Sequence, residues 1–115
     1  VNYLIHTDAI KENLIPENIS KSKRKFIYAD EADLLNIALF GKTAKEWREE
    51  NPELKGNIRD YATLEQLVVL SNMESYNSEL IKMKILSEDR LKKLNKIAID
   101  QMKVLIANKS FKKLT

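Results

Sequence analysis

The chain has 115 residues, 43% apolar and 32% charged, with a net charge of +3, two glycines, two prolines and no cysteine. That length holds one hydrophobic core and leaves no room for a second, and the apolar share is too high for a disordered chain. The missing cysteines exclude disulfides, thiol catalysis and cysteine-based zinc sites and favour a cytoplasmic setting, while no apolar run approaches the roughly 18–20 residues of a membrane span and no signal peptide is expected.

Scarce glycine and proline beside abundant Leu, Ile, Lys, Glu and Asn favour helices over a turn-rich β-fold, so the expected class is all-α, a single domain over residues 1–115 with about five helices. The first covers 2–14, with Leu4, Ile10 and Leu14 on one stripe and Pro16 as its stop. The basic connector "KSKRK" (21–25) follows, then the apolar trio Phe26, Ile27 and Tyr28. A second helix is expected over 31–40: Asp30 is its cap, Glu31 and Asp33 occupy the electropositive first turn, Leu34, Leu35, Ala38 and Leu39 form its buried side, and Gly41 suits a left-handed position past its end.

Thr43 and Glu46 make a capping box for a short helix in "TAKEWREEN", closed by Pro52. It carries Trp47, the single tryptophan, expected to pin the helix to the domain. Two long helices end the chain. One runs over 63–84 behind a Thr63/Gln66 capping box, with Leu67, Leu70, Met73, Leu80 and Met83 near heptad spacing. The other begins after Ser87, its expected cap, with Leu91, Leu94, Ala98, Met102 and Leu105 on one face. The short connector between them predicts a C-terminal antiparallel αα-hairpin. The opening on Val1, inside a periodic pattern and without an initiator Met, is expected of a piece of a longer protein.

Pieces that look catalytic fail on chemistry. "DEAD" (30–33) and "GKT" (41–43) suggest a nucleotide hydrolase, but Asn36 stands where a phosphate loop needs its first glycine, and the residues before it have helical spacing. His6, the only histidine, lacks the partners of a zinc site or of a Ser-His-Asp triad. The carboxylate pairs Asp30/Asp33 and Glu49/Glu50 are explained by helix ends and exposed faces. Hence no catalytic residue, metal or cofactor is expected.

The stretch "GNIRDYAT" (56–63) gathers Arg59, Asp60 and Tyr61 before a long helix. Gly56 permits a turn, Thr63 caps, Asp60 suits the positive end of the next helix, Arg59 can reach a carboxylate, and Ile58 and Tyr61 can fold onto the core. It reads as a structural joint, with Trp47, Arg59, Asp60 and Tyr61 as structural or interaction candidates.

Charge is uneven. Residues 82–115 hold ten Lys and Arg against three acids, a net +7, while the remainder is −4. Lys92, Lys93, Lys96, Lys103, Lys109, Lys112 and Lys113 are therefore candidates for nucleic-acid contact, the plainer reading being a solvated helix face. Val68, Val69, Ile81, Ile97, Ile99, Val104 and Ile106 put apolar groups on more than one side of the last two helices, more than one hairpin covers, which predicts a homo-oligomer.

"YLIHTDAIKENLIP" (3–16), "FIYADEADLLNIALFGKTAKEWREENPELKGNIRDYAT" (26–63), "LSNMESYNSELI" (70–81) and "RLKKLNKIAIDQMKVL" (90–105) resemble, in order and over most of the chain, the C-terminal region of bacterial KilA-N domain-containing proteins. The resemblance implies a phage-type protein whose DNA-binding KilA-N domain lies N-terminal to this sequence. This chain is then its accessory domain, no DNA-binding residue of the family maps onto it, and DNA is met through the missing domain.

Overall fold

Seven successive residues, Leu34 to Phe40, are buried in one helix of the computed structural model, which describes residues 31–114, with side chains to 108. This helix, α1 (Glu31–Phe40), is followed by α2 (Ala44–Glu50), a 3-10 turn (Ile58–Tyr61), α3 (Leu64–Lys82) and α4 (Ser87–Leu114). No strand occurs among the described residues. The expected helix at 2–14, the basic connector, His6 and the Asp30 cap lie outside them.

Periodicity predicts a one-sided α1, but the helix is enclosed on all sides, because Asn36, Ile37 and Phe40 are buried along with the expected leucines. A helix that is apolar around its circumference belongs inside a domain. Leu34, Ile37 and Leu39 of α1 meet a core built from Val69 and Met73 of α3 and Leu91, Leu94 and Met102 of α4. Gly41 ends α1 at φ 79°, its N–H donating to the Ile37 carbonyl at 3.0 Å, as the sequence expects.

Both predicted capping boxes form. Thr43 Oγ1 accepts from Glu46 N at 3.0 Å while Glu46 Oε1 takes Thr43 N at 2.9 Å, and Thr63 and Gln66 repeat the exchange at 3.1 and 2.9 Å. The α3 helix stops at Lys82, short of the expected Lys84. There Lys84 N donates to Ile81 O (2.9 Å) and Ile85 N to Leu80 O (3.1 Å), a Schellman ending with Lys84 at φ 61°. Such endings usually carry glycine, so nothing in the sequence announces this one. Ser87 is the first residue of α4 rather than its cap, because the opening helical bond runs from Arg90 N to Leu86 O.

Polar ties fasten α1 to its neighbours. Arg90 of α4 is buried, and its guanidinium donates to both carboxylate oxygens of Glu31, to Asn77 Oδ1 at 2.8 Å and to the Ile85 carbonyl at 3.0 Å. Asn77 Nδ2 closes the triangle on Glu31 at 3.0 Å. The hydrogen bond from Arg90 holds the Glu31 carboxyl below the usual carboxylate range, helped by Asn77 and opposed by partial burial. Asn95 Nδ2 donates to the Ala38 carbonyl at 2.8 Å. Arg90, counted among the bases of the C-terminal third, therefore offers no charge to a partner.

Candidate functional site

Gly56 starts the joint. Its φ of +88° is open to glycine, and a Cβ there would sit 2.5 Å from Asp60 Oδ2. That carboxylate accepts from Asn57 N at 2.8 Å, and Asn57 Oδ1 accepts from Arg59 N at 2.9 Å, so Asn57 and Asp60 cap the 3-10 turn between them. Asp60 is thus spent on its own turn rather than on the positive end of α3, as the sequence leads one to expect. Arg59 donates Nε to the buried Asn36 Oδ1 at 3.2 Å, and its Nη1 lies 3.9 Å from Glu74. It ties the joint to α1 and faces α3. Ile58 is buried in the core as expected, whereas Tyr61 remains 50% exposed, its hydroxyl donating to the Lys55 carbonyl at 2.6 Å.

Trp47 is only partly buried, so its ring attaches α2 from outside. The ring lies 5.3 Å from that of Tyr61 at 33°, and Arg48 stands over it at 5.2 Å. Asn51 Nδ2 donates to the Trp47 carbonyl at 2.9 Å, and Arg48 Nη1 bonds the Leu54 carbonyl. These contacts hold the indole beside a cavity of about 390 Å³, lined by Phe40, Trp47, Ile58, Tyr61, Ala62 and Gln66, with Asn51 and the Lys42–Glu50 ion pair also on its wall. Arg59 and Asp60 do not line it.

Gln66 is 1% exposed. Its Oε1 is committed to the cap, which fixes the orientation of the amide, and its Nε2 has no hydrogen-bond partner. An orphaned buried donor costs about 1–3 kcal/mol. Capping sites are readable in sequence, but burial of the whole amide behind the box is not, so Gln66 escapes sequence reasoning.

The paired carboxylates Glu49 and Glu50 separate: Glu50 pairs with Lys42 beside the aromatic cavity, and Glu49 lines a different hollow with Asp33 and Glu46. Among the described residues no group of three His, Asp or Glu gathers as a metal site, and no helix is long and apolar enough to cross a membrane. On α4, Lys92, Lys93, Lys96 and Lys103 are exposed, interspersed with exposed Asp89 and Asp100; the side chains of Lys109, Lys112 and Lys113 lie outside the described set.

A second feature lies on the long helices. Leu64, Val68 and Asn72 follow one another at four-residue steps along α3, as Ile97, Gln101 and Val104 share a stripe of α4. Asn72 Nδ2 donates to Gln101 Oε1 at 2.9 Å, which puts the two stripes side by side. Val68 is about 180° around α3 from Asn77, and Ile97 about 160° around α4 from Asn95, the two residues that reach α1. The combined stripe therefore faces away from α1, with Leu64 71% and Val104 58% exposed. No family model, curated protein or solved structure matches this chain.

Proposed function

We propose that this chain is a non-enzymatic helical accessory domain that brings copies of a KilA-N-type DNA-binding protein together. The observation that carries this reading is the outward apolar stripe of Leu64, Val68, Ile97 and Val104, centred on the Asn72–Gln101 bond. In this reading α3 and α4 act as an antiparallel αα-hairpin, α1 covers one side, and a second copy covers the other. A two-fold axis would make the stripe self-complementary, burying the same residues twice and setting two DNA-binding domains at a fixed spacing. The KilA-N assignment rests on the sequence resemblance.

Sedimentation equilibrium on the order of tens of micromolar tests the reading. A dimer that Val68→Lys with Val104→Lys converts to monomer supports it; a monomer throughout that range overturns it.

A second reading, direct nucleic-acid contact, is favoured by the exposure of Lys92, Lys93, Lys96 and Lys103 along α4. It requires binding to duplex that weakens steeply with salt, because each phosphate contact releases counterions. Fluorescence anisotropy with labelled duplex at low salt decides it, and no binding there ends it.

A further inference from the structure

We infer that a second copy docks with its α4 across α3 and its α3 across α4, on a two-fold axis running along the helices, and that the Asn72 and Gln101 amides close a ring at its centre. The inference deepens the oligomer reading and rests on it, including the antiparallel arrangement of α3 and α4. Hydrogen bonding supplies the first argument. Within one copy Asn72 Nδ2 donates to Gln101 Oε1 at 2.9 Å, which uses the nitrogen of one amide and the oxygen of the other. Asn72 Oδ1 and Gln101 Nε2 are left over, an acceptor beside a donor, on an exposed and a half-buried side chain. An axis along the helices keeps every residue at its own height. Gln101 Nε2 then meets the partner's Asn72 Oδ1, and the same bond forms again in the opposite sense. Four amides satisfy one another in the middle of an apolar stripe, where an unpaired one would oppose association.

Charge supplies the second. Glu79 follows Asn72 by seven residues on α3 and Lys93 precedes Gln101 by eight on α4, so in the antiparallel arrangement both stand about 10–12 Å from the amides in one direction. Both are exposed, Glu79 within about 20° of Asn72 around its helix and Lys93 within about 20° of Val104. Within one copy Glu79 pairs with Lys82 at 3.4 Å. The axis along the helices sets Glu79 opposite the partner's Lys93, twice in each dimer. The other two-fold open to this face runs across the helices and reverses the heights. It sets Glu79 opposite the partner's Glu65, seven residues on the other side of Asn72, and so opposes like charges. Val68 and Val104 stand about 4–6 Å from the amides in the other direction, and across the favoured axis they form one apolar layer.

A charge swap read by sedimentation equilibrium on the whole chain tests the pairing. Lys93→Glu puts glutamate opposite glutamate at both contacts and should raise the dimer Kd by about tenfold, as should Glu79→Lys. The protein carrying both should return to within about twofold of the wild type. The amides are read separately. Asn72→Leu with Gln101→Leu makes the stripe continuous and should add species larger than a dimer, because no polar centre then fixes a single arrangement. Should that variant aggregate, Asn72→Asp with Gln101→Glu gathers four carboxylates on the axis and should raise Kd by at least tenfold while the helical circular dichroism persists. A wild-type monomer overturns the oligomer reading and this pairing with it. A wild-type dimer whose charge swap brings no rescue, or which the amide substitutions leave unchanged, overturns the pairing alone.

Discussion

At the Arg90 corner of the domain, buried polarity is matched: one guanidinium makes four hydrogen-bond contacts to Glu31, Asn77 and Ile85, and Asn95 finds the Ala38 carbonyl. Beside Trp47, a glutamine as deeply buried keeps an amide nitrogen with no partner and borders a cavity. Both regions sit on the same core, so packing alone does not separate them. The first uses polar groups to fix α3 and α4 around α1, which is structural work. The second leaves a fully buried donor without a partner, so the same kind of side chain costs stability there instead of adding to it.

Removing Arg90 should break the matched corner most severely. Arg90→Ala strips partners from Glu31, Asn77 and Ile85 at once and should lower stability by about 3 kcal/mol, read as a drop in the urea midpoint with unchanged slope. A paired substitution sharpens the contrast. Asn95→Leu orphans the Ala38 carbonyl and should cost about 2 kcal/mol. Gln66→Leu loses a cap but also removes an orphaned donor, so its net cost should stay within about 1 kcal/mol of zero in the same unfolding assay. If Gln66→Leu were the more damaging, the orphan assignment would be wrong.

Acid should weaken the Arg90 corner. The Arg90 hydrogen bond holds the Glu31 carboxyl below the usual carboxylate range, so its contribution is complete above that range and is lost as pH falls through the depressed native value. Glu31→Gln should flatten that acid limb, with the difference between the two proteins disappearing at the lowest pH. Because Glu31 is half exposed, the effect should be under about 1 kcal/mol. Smallest of all, Lys84→Gly relieves a left-handed lysine beyond α3 and should raise stability by about 0.5 kcal/mol, visible as a small rise in thermal midpoint.

Local chemistry was legible in the sequence where a pattern is short and self-contained. Thr43 with Glu46, Thr63 with Gln66, and Gly41 after α1 all declare themselves within a few residues, and the structure places them so. Features set by distant partners were not legible. Arg90 looked like one more base in a basic tail because Glu31, 59 positions away, cannot be seen from its neighbourhood. Asn36 enters the sequence only as the residue that spoils a phosphate loop, because Arg59, its partner from the joint, is 23 positions away. The candidate residues Trp47 and Tyr61 were singled out as structural and do meet, but the cavity they border depends on Phe40 and Gln66, whose burial no local pattern records.

The enclosure of α1 has a consequence for how the chain breathes. A ten-residue helix buried from Leu34 to Phe40 gains little from forming alone, since short isolated helices are marginal in water. Its amide protons near Ile37 to Gly41 should therefore exchange with solvent at the rate of whole-domain opening, while those of the outlying α2 exchange through local fraying.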